Sequence, residues 1–530
     1  MEEESMRTMR RKSFDVSAGL LCCALIFAVC VPLVFSAETA KPKAPLPRYG
    51  GTMRVADRFD GISIGYPPKM PNSYSQRQAV PALETLFRLD KTGKATPWLA
   101  TGFKEDAKGK TILLTLRKGV KFHDGTNFNA EAVKWNLDLY ASVKTPGTEK
   151  FKSIDIVDEF AIRINLAEWD STVTSGFTQR LGMMISPTAY KKNGEEWCAS
   201  HPVGTGPFEF VSWEKGTSTV YKKFPGYWQK GKPYLDRIEY YAINDSITRL
   251  LSFKKGELEV LLSPDAKDLA DLKKDGYAVN NPRVGSGAMS LMPDSANPKS
   301  PFSDLKVRQA AEHAIDTEKI VKTIYHGEAE PATQWIYKGH WAYNPAVRGY
   351  PYNPALAKKL LAQAGYPNGF KTKITYRVNP QSDLVFTAVQ GYLAAVGIDA
   401  ALEPIQQERY NKITQEGGSW EGLIEDMFSP YVDVVIPMSQ MYSGGNRYFT
   451  QTLAPADYVK AIQDAVGASD FKIKQKSIRE AMKLMSDKYC LQILLLCQSM
   501  ASVSQPYVHN HGFYETPAIT WTPEDSWLGK

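Results

Sequence analysis

Cysteine is scarce. The 530-residue chain has six, and Cys22, Cys23 and Cys30 lie together in an apolar stretch near its start. Cys198, Cys490 and Cys497 remain, too few and too odd in number for a disulfide-built scaffold. A single disulfide stays open. Cys490 and Cys497 stand an odd number of residues apart in a strand-like segment, so they face opposite sides and should not pair. Buried small apolar side chains are the expectation for both. Charge of one sign is missing as well. The net charge is +7 with both signs interspersed, which excludes the concentrated basic face of a nucleic-acid groove. With 43% hydrophobic and 23% charged residues, a largely disordered chain is excluded too.

The usual catalytic patterns are absent. No G-x-S-x-G elbow occurs, and GGSWEG (417–422) puts Glu421 where the second glycine belongs. Gly109-Lys110-Thr111 ends like a phosphate loop, yet residue 104 is Lys rather than Gly. There is no H-E-x-x-H. His509-Asn510-His511 could place two imidazoles on one side of an extended segment, but no acidic or cysteine partner has zinc spacing nearby. The expectation is therefore a protein that is not an enzyme, with no cofactor and no metal. A secreted hydrolase stays a distant alternative.

What is present begins at the N-terminus. Arg10-Arg11-Lys12-Ser13 precedes an apolar run across about 18–35, then Ser36-Ala37 and a polar stretch. A basic start, an apolar middle and small residues at a cut describe a secretory signal over residues 1–37, with delivery to the periplasm. The run is also long enough for an uncleaved membrane anchor. KPKAPLP (41–47) makes residues 38–48 a Pro-Lys linker.

Further on, periodicity marks elements. Residues 111–117 alternate Ile112, Leu114 and Leu116 against polar neighbours, a half-buried strand. After the turn at Lys118-Gly119, Val120 and Phe122 share a face, which leaves Lys118, Lys121 and His123 on a solvated side or in turns. Asn129 is placed to cap a helix carrying Ala130, Val133, Leu137 and Tyr140. In the second half Asp316 and Asn353-Pro354 start helices that Gly327 and Gly365 stop. A strand-like KTKITYRV follows, then a helix over 385–396. Alternating strands and helices over this length imply α/β domains, more than one.

Several stretches together resemble one family. LRKGVKFHDGTNFNAEAVKWNL (116–137), HPVGTGPF (201–208), SPFSDLKVRQAAEHAID (300–316), YNPALAKKLLAQAGYPNG (352–369) and QGYLAAVGID (390–399) are similar, in order, to blocks of the solute-binding proteins of ABC importers. The resemblance is to the group that includes oligopeptide, dipeptide and nickel receptors. It runs over about 49–514 and implies an α/β, two-lobe periplasmic-binding-protein fold (type II, with an extra subdomain) and a ligand cleft between the lobes. Lobe I would take residues 49–287, with the subdomain at about 71–200, and would regain the chain over 500–530; lobe II would take 288–499. The implied partners are a small solute and an inner-membrane ABC permease, with the receptor a monomer.

The ligand end departs from the family pattern. Peptide-binding relatives carry W-x-x-D in a cleft loop, with the aspartate on the peptide ammonium. Aligning Asp433 with the family's second aspartate puts Met427 at the tryptophan and Pro430 at the amine-binding position. A buried ammonium without its carboxylate is costly, so a free peptide N-terminus is not expected to be the group recognised. A peptide receptor rescued by Asp426 is the alternative. The lining is expected from Met427, Phe428 and Tyr431, with Tyr66 and Trp335 facing them and Arg377 near a ligand carboxylate. Aromatic lining suits sugars, aromatic acids or peptide-like solutes. A metal-chelate receptor using His509, His511 and Met427 is a further alternative.

Overall fold

The computed structural model describes residues 46–530 apart from 71, 92, 281–287, 416, 428–432, 443–447, 499 and 517–520. The signal reading of residues 1–37 lies outside the described residues, as does most of the linker. All elements below belong to the compact unit Pro47–Lys530.

Three sheets organise that unit. A seven-stranded sheet runs in the order Ala278–Asn280, Ser502–Ser504, Val260–Leu262, Thr52–Asp57, Arg237–Ala242, Ser218–Lys223, Phe208–Glu214. Its central Thr52–Asp57 is parallel to both neighbours. A six-stranded sheet runs Ala329–Pro331, Ile493–Gln498, Ala288–Pro293, Leu423–Met427, Phe370–Arg377, Ile398–Ile405. The chain thus passes between these two sheets twice, after Asn280 and after Gln498. A four-stranded antiparallel sheet, Ala100–Asp106, Thr111–Leu116, Ala161–Leu166 and Phe151–Asp158, closes its own core with the helix Ala130–Ser142.

The local signals become structure for local reasons. Thr111–Leu116 buries Ile112, Leu114 and Leu116. The Asn129 side chain accepts from the Ala132 amide at 3.0 Å, and the helix it caps buries Ala130, Val133, Leu137 and Tyr140. Asp316 and Asn353 cap Thr317–Ile324 and Pro354–Gln363 in the same way, at 2.9 and 3.0 Å. Gly365, at φ +91°, takes the left-handed turn that stops its helix.

Lys118 and Lys121 are exposed, but His123 is not part of a solvated face. Its amide donates to the Gly204 carbonyl at 2.8 Å and its Nε2 to the Gly206 carbonyl at 2.9 Å. Phe224 meets its ring edge-on at 4.8 Å, and burial pulls its pKa down. The FHDG and GTGP stretches are therefore two sides of one joint. A Cβ on Gly204 or Gly206 would lie 2.2 Å from the Ala82 carbonyl oxygen or 2.4 Å from that of Pro81, so only glycine lets the backbones meet.

Cys198, Cys490 and Cys497 are buried free thiols. Cys497 lies in the strand Ile493–Gln498; Cys490 lies ahead of it at φ +44°, not in a strand as its neighbours suggested.

Candidate ligand site at the carboxyl edge of the six-stranded sheet

Open α/β sheets hold ligands outside the carboxyl ends of their parallel strands, where the connecting loops diverge. Phe370–Arg377 and Leu423–Met427 are parallel neighbours, with Thr375 beside Ile424. Both strands end at one edge, which carries Arg377, Asp426 and Met427. Side-chain alternation then sorts the residues between the two faces. Ile424 packs in the core that holds Trp335 and Met292. Leu423 packs in the other core, with Ile374, Tyr376 and Met289, and Met427 lies against that one. Asp426 thus shares the Trp335 face, and Met427 does not.

Arg377 lies across the edge. Its backbone N–H and its Nε donate to Glu425 Oε2 at 2.8 and 3.1 Å, and its guanidinium sits 4.6 Å from the centre of the Tyr410 ring. Tyr410 is held by its hydroxyl, which donates to the Glu425 carbonyl at 2.8 Å. Ser382, in the first turn of the helix Pro380–Ala394, donates to the other Glu425 oxygen at 3.2 Å. Burial alone would lower the Arg377 pKa; Glu425, Tyr410 and Asp426 together raise it. The guanidinium stays charged, and its Nη2 is buried with no hydrogen-bond partner among the described residues.

Asp426 is 4% exposed. Burial pushes its carboxyl up to about 7, against the lowering pull of Arg377 and the Trp335 indole. Its Oδ2 has no hydrogen-bond partner among the described residues. A buried polar group left unsatisfied costs about 1–3 kcal/mol, more when charged. A donor and an acceptor of this kind in one electrostatic group are what a polar ligand would satisfy together. On the Glu425 side of the edge, the Tyr325 hydroxyl accepts from Gln498 Nε2 at 2.7 Å, and Gln381 lies against it.

The residues named from sequence are scattered by the fold. Arg377 is at the edge. Trp335 faces Asp426 but is 0% exposed and belongs to the core. Met427 packs on the opposite face. Tyr66 is 1% exposed in the core of the seven-stranded sheet, its ring 5.7 Å from that of Tyr190. Phe428 and Tyr431 lie outside the described residues, as does Pro430. Glu425, Tyr410 and Ser382 were not anticipated; two adjacent carboxylates inside an otherwise apolar strand were the available signal. His509 stacks on Trp527 at 4.0 Å. His511 is buried, with burial pushing its pKa down to about 4, and its Nδ1 accepts from the Phe513 amide at 3.1 Å. Packing occupies both imidazoles, and no group of three or more metal-ligating side chains occurs among the described residues. No helix among them is long and apolar enough to cross a membrane.

The architecture is that of solved binding proteins. HbpA2 from Haemophilus parasuis superposes with a TM-score of 0.79 at 22% identity, over 90% of this chain and 100% of that one. DppA from Helicobacter pylori, in complex with the peptide STSA, gives 0.75 at 24%, over 91% and 99%. NikA from Brucella suis, in complex with Fe(III)-EDTA, gives 0.78 at 21%, over 89% and 100%. These likenesses define the class: a two-lobe, type II periplasmic-binding-protein fold.

The sequence narrows it. Residues 94–449 match the model of bacterial extracellular solute-binding proteins, family 5 (middle region). The glutathione-binding protein GsiB of Shigella dysenteriae is 33% identical over 393 residues, 72% of each chain. That of Salmonella choleraesuis is 36% identical over 340 residues, 62% of this chain and 65% of its own length. The chain belongs to family 5 of the bacterial extracellular solute-binding proteins, which are binding proteins rather than enzymes.

Proposed function

We propose that the protein is a monomeric periplasmic receptor that captures a small peptide-like zwitterion between its lobes and delivers it to an ABC permease of the inner membrane. Lobe I is assigned residues 49–287 and 500–530, and lobe II residues 288–499, an assignment supported by the membership of the two large sheets. The observation that carries the ligand reading is the pair of unsatisfied groups at the sheet edge, Arg377 Nη2 and Asp426 Oδ2. A guanidinium braced by Glu425 and Tyr410 is a receptor for a carboxylate. An adjacent carboxyl with a free oxygen accepts an ammonium or an N–H. The alignment through Asp433 sets Pro430 against the amine-binding position of peptide receptors, which argues against a grip on the ligand's N-terminus in their manner. Asp426 takes that charge instead.

Family relatives that bind glutathione by name supply a probe with two carboxylates and one ammonium. Calorimetric titration with glutathione should give saturable binding, and Arg377→Met should weaken it on the order of a hundredfold, the worth of a charge-assisted pair at about 2–3 kcal/mol. Binding of a neutral sugar, with affinity untouched by Arg377→Met and no response to glutathione or short peptides, would sink the reading.

A further inference from the structure

Residues 169–175 carry the four-stranded subdomain against the half of the molecule built on the six-stranded sheet. Its core belongs with the first half: Val173 and Phe177 pack among Ile112, Leu114 and Phe128, and Thr174 Oγ1 donates to Glu105 Oε1 at 2.9 Å. Its polar groups point the other way. Trp169 Nε1 donates to the Ala468 carbonyl at 2.8 Å. The Ser171 amide donates to the Val466 carbonyl and its hydroxyl to the Ala465 carbonyl, both at 2.9 Å.

Those acceptors lie at and just beyond the C-terminus of the helix Ala456–Val466. The last carbonyls of a helix are short of partners within it; Ala465 also accepts from the Gly467 and Ala468 amides, and the first half of the molecule adds further donors to this end. Water can take over each of these bonds when the halves part. The segment caps that helix end.

A second contact reinforces the cap. Asp433, 2% exposed, pairs with Lys474, whose side chain is 8% exposed, inside the second half. Both partners also reach across. Ser175 Oγ donates to Asp433 Oδ2 at 2.8 Å, and Lys474 Nζ donates to the Ser171 carbonyl at 2.9 Å.

We propose that residues 169–175 form a latch that holds the two halves closed, with the Lys474–Asp433 pair as its keeper, and that a ligand held at Asp426 between the halves strengthens the latch. The ligand arm rests on the reading of Arg377 and Asp426 given above; the latch itself does not. Neither Trp169 nor Ser175 belongs to the binding machinery, so Trp169→Phe/Ser175→Ala weakens the latch and leaves the site intact.

The test combines small-angle scattering with amide hydrogen exchange on the ligand-free protein. In the double variant the radius of gyration should rise and the Ser171 amide should exchange at least tenfold faster, while the amides of Thr111–Leu116 keep their rates. An unchanged radius of gyration, or loss of Ser171 protection only together with that strand, would overturn the latch and make the contacts ordinary packing. In the parent protein, saturating glutathione should slow the Ser171 amide. Glutathione that binds by calorimetry without slowing it overturns the coupling. Glutathione that fails to bind strikes the ligand reading alone, and the ligand-free comparison still decides the latch.

Discussion

Asp426 shows how a site and its cost share one atom. An aspartate in an unfolded chain titrates near 3.9, whereas burial holds the native carboxyl near 7. Between those values the folded protein binds more protons than the unfolded one, so stability falls as pH rises from about 4 and the deficit is complete above 7. Three pH units correspond to about 4 kcal/mol. Asp426→Asn is expected to match the parent in denaturant melts at pH 4 and to exceed its stability at pH 8. Glu312 obeys the same sign: burial raises it to about 8 against a 2.8 Å bond from the Leu494 amide, so Glu312→Gln should flatten the fall between about pH 4.5 and 8. Ligand binding should run in the opposite direction. A ligand ammonium needs the Asp426 carboxylate, so glutathione affinity should weaken about tenfold per unit as pH drops below 7, and Asp426→Asn should abolish that slope. Arg377 was named in the sequence from the family resemblance, and it lies at the sheet edge because it ends the strand Phe370–Arg377 beside the end of Leu423–Met427. Trp335 is 0% exposed because the core around it, from Met292 to Met485, is assembled over long range, which no local pattern announces.

At the scale of the element, the most legible features were those a few residues decide. Asn129, Asp316 and Asn353 cap the helices their spacing announced, and Asn353→Ala should cost about 1 kcal/mol in thermal melts. The face a strand residue occupies was less legible. Leu423–Met427 is flanked by helices on one side and by the Trp335 core on the other, and only its register with Ala288–Pro293 and Phe370–Arg377 fixes which residue goes where. Met427→Ala should therefore lower stability by about 1–2 kcal/mol, less than the 2–5 of a fully buried methionine, and leave glutathione affinity unchanged. Joints between elements were hidden for a similar reason. The FHDG turn and the GTGP segment are some eighty residues apart in sequence, and nothing local announces that Gly206 must pass the Pro81 carbonyl. Gly206→Ala should cost about 1–3 kcal/mol, as overpacking does.

For the molecule as a whole, the class was readable and the ligand was not. Five motifs in order specify the fold because each builds a joint or a capped helix, and such parts are shared whatever the cleft holds. The groups that would read a ligand come from Arg377, Tyr410, Glu425 and Asp426, on separate strands and a helix, and no spacing rule ties them together. A ligand that binds only the folded state raises its stability by about 2.7 kcal/mol at a hundredfold excess over Kd. Glutathione at that excess should shift the unfolding midpoint clearly upward in the parent, while the Arg377→Met protein, binding about a hundredfold more weakly, gains only about 0.4 kcal/mol.

The three thiols give the molecule an internal clock. Burial raises all of them, Cys198 to about 11, Cys497 to about 12 and Cys490 well above its ordinary value. At neutral pH each is therefore a protonated, shielded sulfur that a disulfide reagent cannot consume until its surroundings open. Cys198 stands in the chain that builds the seven-stranded half, and Cys490 and Cys497 in the six-stranded half. The order in which the reagent's mass accumulates on these sulfurs under mild denaturant thus records which half gives way first, with no label added to the protein.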